Sequence, residues 1–336
     1  MSDATGSKWW HKWFRTPGEL RRMGVVGINM RNGRYLLPNN PRKHYRRVDD
    51  KILTKGLAVA CKIEVPETYA VVTSPNEVRN IEKLIQGRDS FVMKPARGSG
   101  GKGILVIAGR EGKKFYKPSG NVVSLGELKH HASNILAGLH SLGGTRDRAL
   151  IEYKVTPSEV LTNLSFLGAP DVRIVMMHGY PVMAMLRAST KESDGRANLH
   201  QGAIGIGVDL ATGKTIRAIH HGSPISQHPD LKCDLIGVQV PEWERMLEIA
   251  VTCYEMTELG YLGVDVMVDQ DKGPMMIEVN ARPGLAIQMA NGVGLQRRLE
   301  PIAKRKKAMA TEAPEERIAF SKKNFAYRSA GDSSGS

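Results

Sequence analysis

Cysteine is scarce in this chain: three in 336 residues, at Cys61, Cys233 and Cys253. Their odd number, wide spacing and lack of any CxxC pairing argue for a reducing compartment and against a zinc site. No apolar run approaches the roughly 20 residues that a membrane-spanning helix needs. The N-terminus lacks the apolar segment of a signal peptide, so a soluble, cytoplasmic protein is expected. Acid is also in short supply. Only 34 Asp and Glu face 48 Lys and Arg, a formal net charge of +14, which points to an acidic partner: nucleotide, acidic peptide, nucleic acid or anionic membrane. Two phosphate-binding signatures are missing. The glycine-rich run Arg97-Gly98-Ser99-Gly100-Gly101-Lys102-Gly103 lacks GxxxxGK[ST] spacing, and no GxGxxG opens a helix after a strand, which excludes a P-loop and a dinucleotide fingerprint.

The basic excess is uneven. Residues 1–50 hold eleven Lys or Arg against four acids, a local +7. Three of the four tryptophans lie among the basic residues Lys8 to Arg15; packing against a neighbouring lobe is the favoured reading, and docking at a membrane interface or partner the other. Thr16-Pro17 reads as the cap and first residue of a short helix, and residues 28–50 as an irregular basic lead-in. From Lys51 a helix is expected with Ile52, Leu53, Leu57, Ala58 and Cys61 on its apolar face. Ser74-Pro75 opens another, carrying Val78, Ile81, Leu84 and Ile85. Ser124 with Glu127 is a capping box. Strands are expected near 90–94, 103–108, 148–152, 171–178, 181–187, 262–268 and 275–279, and a long helix over 241–259. The charged tail after Ala303 reads as disordered.

The chemistry concentrates at a few points. A triphosphate needs cations and a side-chain-free loop that lets backbone N–H groups approach. The glycine-rich hairpin tip at 98–103 supplies the loop, and Lys94, at the end of the strand before it, supplies a point charge for the α and β phosphates. Lys51 adds a second cation. Ile151-Glu152-Tyr153 at a strand end suits adenine, and Asp171, or with less support Glu159, suits ribose. A late hairpin places Asp265 and Glu278 side by side with Asn280 one alternation further on. These are hard oxygen donors that suit Mg²⁺, and their apolar flanks would make unpaired acids costly there. Arg173, Arg187, Arg196, Asn198, His200 and Arg282 lie between, and such cations can hold a carboxylate and stabilise a tetrahedral oxyanion. For His200 a structural hydrogen bond is the commoner role, acid–base work the rarer one.

Taken in order, Lys51, Lys94, the glycine-rich hairpin, Glu152-Tyr153, Asp171-Val172-Arg173, Arg196-Ala197-Asn198, Asp265 and Glu278-Val279-Asn280 resemble the ATP-grasp superfamily, and within it the RimK-type α-L-glutamate ligases. The resemblance covers roughly residues 45–300. It implies an α+β ATP-grasp fold whose two lobes clamp ATP: a lead-in over 1–50, a grasp domain over 51–302 with a lid lobe at about 88–150 and a large lobe at about 155–300, and a tail over 303–336. It further implies Lys51, Lys94 and the loop Gly98, Ser99, Gly100, Gly101, Lys102 and Gly103 on the phosphates, Glu152 and Tyr153 on adenine, and Asp171 on ribose. Arg196 and Asn198 would lie near the γ-phosphate. Asp265, Glu278 and Asn280 would hold Mg²⁺, with two ions expected and Mn²⁺ as a substitute. Arg187 and Arg282 would be catalytic, and Arg173 and His200 would meet substrate. The implied reaction is phosphorylation of a carboxylate by ATP followed by attack of an amine. The implied partners are ATP, an amino acid with glutamate favoured, and a carboxylate or peptide acceptor; homo-oligomer formation is left open. Two departures stand out: only about fifty basic residues precede Lys51, where the family usually has a full domain, and Arg282 stands where the glutamate ligases tend to have a small residue. The competing expectation is a non-catalytic ATP-binding module whose basic N-terminus docks an anionic membrane or nucleic acid.

Overall fold

The computed structural model describes residues 16–98, 100–305 and 311–328. The tryptophan cluster and Ser99 lie outside them.

Two apolar cores form, each under its own sheet. The smaller gathers residues between Val72 and Ile151 beneath an antiparallel sheet ordered Thr68–Val72, Ala149–Glu152, Phe91–Pro95, Leu105–Ile107. The helix Leu125–Leu136 covers it with Leu128, Ala132 and Ile135, whose spacing brings them onto one side of a helix. Val78, Ile81 and Ile85 complete the layer. The expected capping box of Ser124 with Glu127 is present, and the helix start expected at Ser74-Pro75 carries a second one, Ser74 with Glu77; the two residues of each pair satisfy each other's backbone N–H groups. A small three-stranded sheet, Gly109–Glu111, Lys114–Tyr116 and Val122–Ser124, adds Phe115 to this core.

The larger core lies against a seven-stranded antiparallel sheet. Its order is Ser223–Ile225, Thr215–His220, Ile204–Val208, Tyr180–Ala188, Asp171–Met177, Tyr261–Asp269, Gly273–Asn280. The helix Trp243–Thr257 packs on it with Met246, Leu247, Ala250, Val251 and Cys253 buried. Asp171 and Arg187 pair across neighbouring strands, Asp265 pairs with Arg173, and Asp265 pairs with Glu278. Just beyond that last pair the register breaks: Val266 faces Met276, leaving Ile277 as the extra residue of a β-bulge. The sheet topology therefore delivers five charged residues from four adjacent strands to one place.

Three expectations are corrected. Residues 28–50 are not irregular; they form short helical turns, Ile28–Met30, Arg31–Leu36, Arg42–His44 and Arg46–Asp49, that seat Tyr35, Leu36, Tyr45 and Val48 in the larger core. Elements this short show no helical periodicity in the sequence. Of the apolar face expected on the helix Lys51–Ala60, Ala58 is in the larger core and Leu57 packs against it, but Leu53 and Cys61 are exposed, and Thr54 and Lys55 are buried in their stead. The tail is not wholly without structure. Pro314–Phe325 is a helix whose Ile318, Ser321 and Phe325 are buried, with Phe320 edge-on to Tyr180 at 5.5 Å.

Candidate functional site

Lys51 is the first residue of its helix, capped by Asp50, whose Oδ1 accepts from the Ile52 N–H at 3.2 Å. Its Nζ donates to the Gly98 carbonyl at 2.7 Å and lies 2.9 Å from Glu278 Oε1. One turn on, Lys55 Nζ lies 2.6 Å from Glu152 Oε2, and Lys94 Nζ takes the other carboxylate oxygen. All three of these groups are buried. Burial pushes the Lys55 amine below its usual range, Glu152 opposing and Lys94 adding to the shift. Two ammoniums share one carboxylate where water is scarce, and the local excess of positive charge suits an anionic ligand. Lys55 was missed in the sequence reading. Its signal was its place four residues after Lys51, on the same helical face.

The glycine loop is fastened at its ends and open at its tip. A side chain at Gly98 would bring a Cβ to 2.3 Å from Pro95 Cγ. At Gly103, with φ +75°, it would lie 2.5 Å from His140 Cγ, and His131 Nε2 lies 3.0 Å from the Gly103 carbonyl. Gly100 and Gly101, at φ +65° and +76°, face open space, and Lys102 is exposed. The tip is thus free to approach a ligand with its backbone.

Beyond Glu278 lies a compact charge cluster. Arg173 Nε and Nη2 donate to Asp265 Oδ1 and Oδ2 at 2.7 and 2.6 Å. Arg187 Nε and Nη2 donate to Asp171 at 2.5 Å each, and Nη2 also reaches Asp265 Oδ2 at 2.8 Å. Burial drives the Asp265 carboxyl upward, but Arg173 and Arg187 outweigh it and hold the group below the ordinary carboxylate range. At Asp171 burial prevails over Arg187, and the carboxyl is raised. Burial works against the charge on Arg187, yet Asp171 and Asp265 together push its pKa above the usual guanidinium value.

The donors expected to hold Mg²⁺ are assembled. Glu278 is half-buried and faces Asp265 across the strands, and Asn280 Nδ2 lies 3.2 Å from Asp265 Oδ2. Two carboxylates and an amide are a hard oxygen set, which fits that ion. Glu278 and Asn280 are the readier ligands, because both Asp265 oxygens already accept from guanidinium groups and would have to exchange those bonds.

Glu152 and Tyr153 stand at the other side of Lys94. The Tyr153 N–H already donates to the Glu67 carbonyl at 2.8 Å, so this residue's backbone has no donor left for a base. Its hydroxyl donates to Asp269 Oδ2 at 2.9 Å, and burial with this bond pushes the phenol up to about 12. Asp171 is in the arginine cluster on the large sheet, whereas Glu152 is on the small sheet. Arg196 and His200 are exposed on the loop after Ala188, where the Asn198 side chain accepts from the His200 N–H at 3.0 Å. Arg282 is exposed and lies over the Tyr45 ring, 5.0 Å from its centroid.

Comparison with known proteins follows the same span. The chain matches the profile described as sugar-transfer associated ATP-grasp over residues 30–304. It is 22% identical over 259 residues to a protein of Enterobacter sp. (strain 638) named probable alpha-L-glutamate ligase, covering 77% of this chain and 64% of the relative. A protein of the same name from Thioalkalivibrio sulfidiphilus (strain HL-EbGR7) is 23% identical over 281 residues, covering 83% of this chain and 68% of the relative. The chain thus spans about two thirds of the length of these curated relatives. Among solved structures, the D-alanine–D-alanine ligase of Bacillus anthracis complexed with ATP is similar with a TM-score of 0.45 and 15% identity, over 82% of this chain and 70% of that one. No helix among the described residues is long and apolar enough to cross a membrane.

Proposed function

We infer function from a single premise: the chain belongs to the sugar-transfer associated ATP-grasp family. On that premise it is an ATP-dependent carboxylate–amine ligase. A lid lobe of about 88–150 closes over a large lobe of about 155–300 with ATP between them. Lys51, Lys55 and Lys94 take the phosphates, the loop Gly98 to Gly103 lays its N–H groups along them, Glu152-Tyr153 borders the adenine, and Asp171 the ribose. Glu278 and Asn280, joined by Asp265 once it exchanges a guanidinium contact, hold Mg²⁺. When bound, that ion neutralises phosphate oxygens during transfer.

A substrate carboxylate oxygen attacks the γ-phosphorus, the bond to the β-phosphate oxygen breaks, and ADP leaves an acyl phosphate. The amine nitrogen of the second substrate then attacks the acyl carbon. Arg187 and Arg282 stabilise the tetrahedral oxyanion, which collapses as phosphate departs and the nitrogen loses its proton to water or His200. Arg173 and His200 orient the substrates, and Arg196 and Asn198 steady the γ-phosphate. An amino acid such as glutamate joined to a carboxylate or peptide acceptor fits the names of the curated relatives.

The observation that carries this reading is Lys51, whose amine touches both the glycine loop and the acidic strand. It is tested by phosphate release from purified protein with ATP, Mg²⁺ and a panel of amino acids and acceptors. Glu278→Ala should lower the rate on the order of 100-fold, about 3 kcal/mol of barrier. An unchanged rate would remove the metal assignment, and no release with any pair would remove the ligase.

A further inference from the structure

Away from the nucleotide residues, Glu192, His220 and His221 converge, with one ligand atom from each lying within 4.8 Å of the other two. Glu192 Oε2 is 2.7 Å from His221 Nε2 and 3.8 Å from His220 Nε2. The two histidines end the strand Thr215–His220 and begin the turn into Ser223–Ile225. Successive residues of a strand point to opposite faces, but His221 at φ +49° and Gly222 at +77° turn the chain here, and the rings lie 4.2 Å apart. Nε2 of His220 also lies 3.0 Å from the Gly202 carbonyl. To bind a metal through this nitrogen, His220 would exchange the Gly202 contact, as His221 would exchange its bond to Glu192. Gly202, at φ +89°, makes room for the acid: a Cβ would lie 2.7 Å from Glu192 Cδ.

We propose that Glu192, His220 and His221 form a divalent transition-metal site that ties the loop carrying Arg196 and Asn198 to the Thr215–Ile225 hairpin. Two imidazoles and one carboxylate are ligands for Zn²⁺, Ni²⁺ or Cu²⁺, not for Mg²⁺, which takes oxygen ligands. Three protein ligands leave a coordination position to water, in keeping with a group whose His221 and Glu192 side chains are 54% and 57% exposed. The paucity of cysteine argues only against thiolate zinc sites and does not bear on this donor set. The loop joins the sheet at both ends, through Tyr180–Ala188 and Ile204–Val208, so a brace at Glu192 would restrain Arg196 and Asn198, four and six positions on.

The untagged full chain, stripped with chelator, would be titrated calorimetrically with ZnCl₂ in excess Mg²⁺. One Zn²⁺ per chain is expected, with His221→Ala and Glu192→Gln each weakening it at least about tenfold, while the exposed and distant His130→Ala leaves it unchanged. Thermal melts of each variant establish that the fold is kept. As a second readout, Zn²⁺ should slow tryptic cleavage after Lys191 and Arg196 in the wild type and not in the two ligand variants. No stoichiometric binding, or binding equal in the wild type and both variants, overturns the site. Site-dependent binding without protection from trypsin overturns the brace.

Discussion

Lys51 Nζ lies 2.9 Å from Glu278 Oε1 while donating a 2.7 Å hydrogen bond to the Gly98 carbonyl. A single ammonium thus spans the glycine loop, the first helix of the proposed grasp domain and the acidic strand. The side chains of Lys51 and Glu278 are 14% and 27% exposed, partly screened by water, so the pair stabilises the fold only modestly.

Lys51→Met should therefore separate binding from stability. Unfolding free energy should fall by about 1 kcal/mol or less, while affinity for Mg·ADP drops at least about tenfold. Urea unfolding and calorimetry on the same preparation measure both, and equal nucleotide affinity in the variant would exclude Lys51 from the phosphate site.

Lys55→Met should behave in the opposite way in the fold. Glu152 and Lys94 are almost wholly buried, and removing one of the two ammoniums that meet this carboxylate should cost roughly 3 kcal/mol, the low end for breaking a buried ion pair, because Lys94 remains. The midpoint of urea unfolding measures it. A near-neutral result would mean that the pair is offset by its desolvation.

The Tyr153–Asp269 hydrogen bond gives stability a limit at each end of the pH scale. Asp269 accepts from Tyr153 Oη and Thr156 N at 2.9 Å, and from Asp271 N and Lys272 N at 3.0 and 3.1 Å. Burial raises this carboxyl, but these donors hold it below its usual 3.8. Its contribution is present above the unfolded value and lost as pH falls through the folded one. Tyr153 is displaced from 10.0 up to about 12, so its contribution is complete below 10 and lost as pH rises toward 12. Asp269→Asn should flatten the acid limb and Tyr153→Phe the alkaline limb, read from unfolding free energies across pH. Limbs unchanged in both variants would remove the assignment.

The helix Pro314–Phe325 should matter to the whole large lobe. Phe325 is buried, edge-on to Phe320 at 6.0 Å, with the Arg298 guanidinium 5.7 Å from its ring centroid. Phe325→Ala should cost about 3 kcal/mol, whereas Lys323→Ala on the exposed side should change stability by less than about 0.5 kcal/mol. Equal effects in chemical denaturation would mean the helix is not docked in solution.

What the residues reveal on their own is uneven, for physical reasons. The helix start at Ser74-Pro75, the capping box at Ser124 and the pairing of Asp265 with Glu278 were legible, because each depends on fixed local spacing or strict alternation along a strand. Lys55 shares a helical face with Lys51, but that spacing alone does not give it a role, because its partner Glu152 is 97 positions away. Helix Pro314–Phe325 was hidden by its own composition: Glu315, Glu316, Lys322 and Lys323 read as solvated chain, and only the sheet gives Ile318 and Phe325 somewhere to go. The arginine grip on Asp171 and Asp265 lay equally out of reach, since it is made by three neighbouring strands whose order the sequence does not state.

The bulge at Ile277 also bears on how this chain can diversify. It sits between the acids and the Asp269–Gly273 end of their hairpin, so that end can lengthen or shorten in a descendant protein while Asp265 still meets Glu278. Residues gained or lost at the tip would be absorbed before they reached the site, and relatives differing there in length could keep one and the same carboxylate spacing.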